Sequence, residues 1–370
     1  MVSDKHVVIV GAGGNIGSHL VPHVARMASV GRMTLVDPDV YERRNLASQD
    51  IWLTDVGARK VEVQARRIRQ LAGDDIDIVD LDRRVEDVPA GRLQADVILA
   101  CLDSRASRQH VNQTAWRLGV PWIDSGVAPD GWLARVNVYV PALDTGCLEC
   151  AWDDRDYTAI EQVYPCAGQP SGPPTDGPSS LGALAAALQA IECRKLLEGD
   201  LARLVTGRQI LVDAASHRHY VTAFPRRTSC RMWPHTPLEI ARLDSGPDRL
   251  TLGALFERAR ADGLSPEGLA LEIEGRRLTT VATCPSPSCG RPLNLWRFGR
   301  QGAASVHRCP RCGGQVAVRG FDLAERLLAE VVPDRLLGRP VRRFGVRDGE
   351  LCSLGAANGR RHYVVGGDQV

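Results

Sequence analysis

The sequence predicts an α/β protein built on a doubly wound, mainly parallel sheet. Three observations carry this. Strand and helix signals alternate from residue 6 to residue 125, the strands read as apolar runs, and a glycine-rich turn follows the first of them. Residues 6–10 (HVVIV) are a strand and residues 18–28 a helix. RMTLVD is a second strand, ending at Asp37, and residues 57–71 form a second helix. DIDIVDL and DVILACLD are further strands, followed by a helix over 105–118 and the strand PWIDSG. Runs such as VILAC, with no polar alternation, suit a sheet buried on both faces, as in a Rossmann-like fold. Residues 132–140 (WLARVNVYV) add another strand. The Pro/Gly-rich stretch 164–178 is a loop or crossover, and Ser179 or Ser180 is placed to cap a helix running to Leu197. ILVD and HYVTAF read as a strand pair near 209–224.

Composition shifts after His235. Residues 236–283 suggest a small α/β piece, with ALFERARA as helix and LALEIEG and LTTVAT as strands. A four-cysteine module follows at 284–320. The tail, 321–370, carries an amphipathic helix (FDLAERLLAEVV) and a glycine-rich end. The sequence thus divides into a main domain over 1–235 and three smaller pieces.

The turn GAGGNIGS, Gly11 to Ser18, is of the kind that holds a phosphate: glycines let the backbone approach an anion, and the next helix offers free N–H groups. Its spacing leaves the nucleotide open. Gly11, Gly14 and Gly17 fit a GxxGxxG pattern seen in some NAD enzymes. Gly11, Gly13 and Gly14 fit the opening of the ATP-binding GxGGxG, with one residue too many before the last glycine. The acid ending the second strand, Asp37, suits an adenosine ribose in either case.

The 370 residues carry a formal net charge of +2, which steers toward neither nucleic acid nor membrane. Met1 to Lys5 runs straight into a strand, and LGALAAALQAI is too short to span a bilayer, so a cytoplasmic protein with no membrane partner is expected. Lysine occurs only at positions 5, 60 and 195, which draws attention to Lys60. Eleven cysteines at these spacings suggest metal rather than disulfides. Cys284-x4-Cys289 and Cys309-x-x-Cys312, each in a tight Pro/Gly turn, have the look of a zinc ribbon, and Cys147-x-x-Cys150 is a further pair. Residues 284–347 hold twelve arginines against four acids; we read this as a solvated surface, with nucleic acid not the expected partner.

LVDPDVYERRNLASQD resembles the DxDxVxxxNLxRQ stretch of the ubiquitin-activating, ThiF/MoeB/HesA-like adenylating family. Asp37, Asp39, Val40, Asn45, Leu46 and Gln49 match in register. Gly57 and Lys60 match the family's GxxK, and Asp103, Arg108 and Asn112 its Asp, Arg and Asn segment. Cys147 and Cys150 match its first zinc pair, and LGALAAALQAIECRKLL its late helix, so the resemblance covers roughly residues 6–235. It implies an adenylyltransferase that forms an acyl-adenylate on the C-terminal carboxylate of a ubiquitin-like or sulfur-carrier protein, or of a peptide. By the same resemblance Asp103 would hold Mg2+, Lys60 and Asn45 would contact the phosphates of ATP with Gln49 nearby, and Asp37 would bind the ribose with Asp39 close to the nucleotide. Arg108 and Asn112, four apart on one helix face, would touch ligand or brace the Asp103 loop. Cys230 and His235 would complete a Zn2+ set with Cys147 and Cys150. Cys166, in the Pro/Gly loop, would take the activated carboxylate. A homodimer through the adenylation domain is also implied.

The chain departs from the family pattern in three places: the extra residue in the glycine turn, Ser48 in place of the arginine of NLxRQ, and almost nothing before His6. Arg43 and Arg44 lie close to Ser48. Two competing readings follow, a relative that binds without catalysing and an NAD-dependent oxidoreductase.

Overall fold

The structure is a computed structural model; it describes residues 4–141, 143, 145–161, 177–232, 234–300, 307–316 and 323–366. The chain forms two compact units, one of residues 1–88 and 93–237, the other of 89–92 and 238–370.

The first unit holds β1 (Lys5–Val10), α1 (Gly17–Val24), β2 (Val30–Val36), α2 (Lys60–Ala72), β3 (Asp77–Leu81), β4 (Val97–Ala100), α3 (Arg105–Leu118), β5 (Trp122–Ala128), β6 (Leu133–Tyr139), α4 (Asp154–Glu161), α5 (Ser179–Leu197), β7 (Arg208–Asp213) and β8 (Arg218–Ala223). Its eight strands run in the order β3-β2-β1-β4-β5-β6-β7-β8. The first five are parallel and the last three add on antiparallel. The chain order reverses between β1 and β4. Such a reversal opens a crevice beyond the carboxyl ends of the two strands.

The apolar runs explain the sandwich. Side chains alternate across a strand, so Val7 and Ile9 join one core with Leu20 of α1, Val61 and Ile68 of α2 and Ala185 of α5. Val8 and Val10 join a second core with Val111 and Ala115 of α3. Both faces of β1 and β4 are therefore sealed, and only their ends are free to meet a ligand. α5 begins at Ser179, but neither predicted serine caps it: the N-cap is Pro178 without a side-chain bond, and the Ser179 hydroxyl meets His19 Nε2 at 3.0 Å instead.

His6 sits in β1 at 4% exposure, with Nε2 2.9 Å from the Thr34 hydroxyl. Burial pushes its imidazole down to about 4. A base held neutral in this way gives its full stability above the unfolded value near 6.5 and loses it as pH falls toward 4. About 3 kcal/mol should therefore disappear between pH 7 and pH 4. Urea unfolding of the native chain and of His6→Gln at both pH values checks this; the variant should lack that part of the acid sensitivity.

The second unit holds β9 (Ile240–Leu243), α6 (Leu252–Ala261), β10 (Ala270–Ile273), β11 (Arg276–Thr283), β12 (Pro292–Arg300), β13 (His307–Arg308), β14 (Gln315–Val316), β15 (Leu323–Ala324), β16 (Arg326–Leu328), α7 (Asp334–Leu337), β17 (Glu350–Ala356) and β18 (Gly359–Val365). A five-stranded sheet, β16-β10-β17-β18-β9, packs against α6. Among the described residues the helix expected over FDLAERLLAEVV does not form: Leu323–Ala324 and Arg326–Leu328 are strands paired with β11 and β10. Its apolar spacing fits a helix, yet Leu327, fully buried opposite Leu271, is placed by the sheet.

Candidate nucleotide site and metal centres

The glycine turn lies at the reversal between β1 and β4. Gly11 has φ +76°, a left-handed conformation, and passes against the Cys101 carbonyl at the end of β4. Gly14 N–H donates to Gly11 O at 3.2 Å, and Gly17 is the first residue of α1. Gly13 N–H donates to Asp37 Oδ2 at 2.9 Å. Asp37 is 3% exposed; burial raises its carboxyl above the usual range, while Lys60 and the Gly13 N–H draw it back. Lys60 is buried too, with Nζ 3.0 Å from Asp39 Oδ2 and 5.8 Å from the Tyr41 ring centre. The structure thus brings Gly11, Gly13, Asp37, Asp39 and Lys60 together.

Residues 37–60 leave β2 and return to α2, and Asp50 N–H, donating 3.0 Å to the Ser18 hydroxyl, anchors them on α1. Asn45 lies in a 3-10 turn, Arg43–Ala47, with Oδ1 accepting from Glu42 N–H at 2.7 Å. Gln49 Oε1 is buried without a partner among the described residues, an orphan acceptor of the kind that calls for an explanation. Ser48 is 7% exposed. Arg44 pairs with Glu42 at 3.0 Å, whereas Arg43 is exposed and has no partner among the described residues. Asp103 is exposed in the loop between β4 and α3. Arg108 braces that loop: a guanidinium N–H donates to the Leu102 carbonyl, and Nε donates 3.0 Å to Asp124, which Arg135 also holds at 2.7 Å.

The sequence signalled nothing of two other roles here. Asn15, in the stretch of the turn that holds the extra residue, donates from Nδ2 to the Gly177 carbonyl at 2.5 Å, and Gly182 makes room for its side chain. Gln189 of α5 donates to the Ala100 and Ile123 carbonyls at 3.3 and 2.8 Å, locking the ends of β4 and β5. Cys101 lies beside it, its thiol pushed up to about 12 by its desolvated setting, which disfavours the thiolate. Cys166 lies outside the described residues.

Asn112 belongs to a different place. Its Nδ2 donates to Glu149 at 3.1 Å and its Oδ1 accepts from Leu148 N–H at 3.2 Å, both inside the Cys147–Cys150 turn. Cys147, Cys150, Cys230 and His235 present their ligand atoms within 4.8 Å of one another, all buried. Cys147 lies 3.9 Å from Cys150 and 3.6 Å from Cys230, and His235 Nε2 lies 3.2 and 3.3 Å from Cys147 and Cys150. Three thiols and an imidazole so spaced fit a tetrahedral Zn2+, whose bonds to sulfur and nitrogen are about 2.3 and 2.1 Å. In the second unit Cys284, Cys289, Cys309 and Cys312 converge equally, with sulfur pairs at 3.5 and 3.7 Å. Backbone N–H groups of Arg311 and Cys312 face the Cys309 thiol and draw it down.

A glycine turn at a strand-order reversal, a buried acid closing the second strand, a buried lysine and a knuckle able to hold zinc define a class of nucleotide-handling α/β proteins. The chain belongs to the ThiF family, whose model matches residues 1–232. It is 30% identical over 235 residues to the sulfur carrier protein ThiS adenylyltransferase of Escherichia coli, covering 61% of this chain and 85% of that one. It is 29% identical to the SAMP-activating enzyme E1 of Haloferax volcanii, covering 57% of this chain and 73% of that protein. Against the ubiquitin-like modifier-activating enzyme 5 of rice the match, at 27% identity, spans only 38% of the relative's length. Among solved structures, Escherichia coli MccB with ATP matches with a TM-score of 0.50 at 24% identity, covering 62% of this chain and 66% of MccB. MccB with N-formylated MccA matches with a TM-score of 0.51 at 23% identity, covering 62% and 67%. These two likenesses carry the fold alone. The α/β architecture and family expected from the sequence are both found. No helix among the described residues is long and apolar enough to cross a membrane.

Proposed function

We propose that the chain adenylates the C-terminal carboxylate of a ubiquitin-like or sulfur-carrier protein, or of a peptide, at the expense of ATP. The observation that carries the reading is the convergence of Gly13, Asp37, Asp39 and Lys60 beside the strand that leads to Asp103, in a member of the ThiF family. The carrier carboxylate oxygen attacks the α-phosphorus of ATP, the bond to the bridging oxygen breaks, and pyrophosphate leaves with the electron pair. Charge then builds on the phosphate oxygens, where fixed N–H groups and cations act most strongly. The Gly11–Gly17 backbone and Lys60 supply them, Asn45 and Gln49 border the phosphates, and Asp37 takes the ribose hydroxyls with Asp39 beside the nucleotide. Asp103, exposed and without a partner among the described residues, would hold Mg2+, which screens the triphosphate when bound. Arg43, exposed and close in sequence to Ser48, is the proposed replacement for the cation lost there. Cys166 is the proposed acceptor if the acyl group moves on. A cytoplasmic location and a homodimer belong to the same proposal.

ATP–pyrophosphate exchange with a ThiS-type carrier tests it. Exchange should require the carrier, and Lys60→Met and Asp103→Ala should each lower it by about 100- to 1,000-fold. No exchange with any carrier, together with no ATP binding, would overturn the reading. The second reading, a family member that binds without catalysing, rests on Ser48; it predicts ATP binding without exchange.

A further inference from the structure

We infer that Glu149 is a positioning residue which ties the Cys147/Cys150/Cys230/His235 centre to the Asp103 loop through α3. The inference deepens the proposed function and rests on it for the role of Asp103.

Glu149 stands between two thiol ligands and is 1% exposed. A carboxyl group so placed needs its lone pairs filled. Its Oε1 accepts from Asn112 Nδ2 at 3.1 Å and Gln113 Nε2 at 3.2 Å, and its Oε2 from Gln109 Nε2 at 3.0 Å. One helix turn on, Trp116 meets the His235 ring edge to face, with centroids 5.3 Å apart. Positions 109, 112, 113 and 116 form one stripe of α3. The metal knuckle therefore sets both the rotation and the axial position of this helix.

The other end of the helix carries the loop. Ser104 caps α3, its hydroxyl accepting from Ser107 N–H at 3.4 Å. Arg108, next to Gln109, donates to the Leu102 carbonyl and to Asp124. A shift or rotation of α3 moves Asp103, which directly precedes the cap. At about 1.5 Å of rise per residue, the Glu149 stripe begins less than two turns from that acid.

Glu149→Gln keeps the shape but turns an acceptor into a donor facing donors. Zinc should stay at two ions per chain. Amide hydrogen exchange of residues 102–108 should quicken at least about tenfold while β1 is unchanged, and the Mg2+ concentration for half-maximal pyrophosphate exchange should rise about tenfold with the saturated rate kept. Glu149→Asp should recover part of the protection. Gln109→Ala with Gln113→Ala removes two of the three donors without touching the knuckle and should reproduce the faster exchange. Unchanged exchange at 102–108 in this double variant overturns the inference, as does an unchanged Mg2+ requirement in Glu149→Gln that retains zinc. A native chain without pyrophosphate exchange overturns the adenylation reading alone, because the amide measurement needs no nucleotide.

Discussion

Gly13→Ala is expected to weaken ATP binding about 100-fold while leaving the chain folded. A methyl group built on Gly13 lies 2.7 and 2.8 Å from Lys60 Cδ and Cγ and closer still to its Cβ. Lys60 emerges from the first turn of α2 and cannot retreat as a whole, so its ammonium must leave Asp39 and the proposed phosphate positions. The Gly13 N–H also shifts away from Asp37. Two interactions with charged groups, each worth about 1.5–3 kcal/mol, are disturbed together, and about 3 kcal/mol corresponds to about 100-fold. Gly14→Ala is the control, since its added carbon meets only Gly11 O at 3.4 Å and Cys101 O at 3.9 Å, ordinary contacts. Calorimetric titration with a non-hydrolysable ATP analogue separates the two. Gly13→Ala binding within threefold of the native chain would remove the steric account of this turn.

Cys147→Ser is expected to halve the zinc content, from two ions per chain to one, and to lower the melting temperature of the first unit by roughly 10 °C or more. The site joins the turn after β6 to the segment after β8, and Cys147, Cys150, Cys230 and Trp116 form a small core of their own. A structural zinc contributes about 10–16 kcal/mol of apparent binding free energy in isolated peptides, comparable to the whole stability of a domain. Losing even a third of that, about 3–5 kcal/mol, equals the cost of a large core truncation. Cys309→Ser should cost the other ion and spare the melting of the first unit. Atomic absorption and scanning calorimetry read both effects; two zinc ions retained in Cys147→Ser would refute the ligand set.

Much of this was legible because it depends on repetition. HVVIV and VILA alternate between two cores, and a period of two survives any loop detail. The glycine turn, Asp37, Lys60 and the cysteine pairs were legible because each chemistry demands a residue type at a spacing. Single polar residues follow no such rule. Glu149 is one acid between two cysteines, and its three amide partners are recognisable only once α3 lies against the knuckle. Asn112 shares helical spacing with Arg108, which suggested a common task, but the two side chains leave α3 toward different partners, Glu149 and Asp124. The tail misled for the opposite reason. FDLAERLLAEVV has a helical period, but pairing with β10 and β11 outweighs local preference.

Asn15 and Gly182 carry a consequence for how such a site changes over generations. The Asn15 amide occupies the space where any side chain at Gly182 would begin, and it holds the Gly177 carbonyl that introduces α5. Neither position can drift by itself: a larger residue at 182 is barred while the asparagine is present, and loss of the asparagine leaves a hollow beside a helix start. The asparagine and the glycine are therefore sterically coupled, 167 positions apart in the chain.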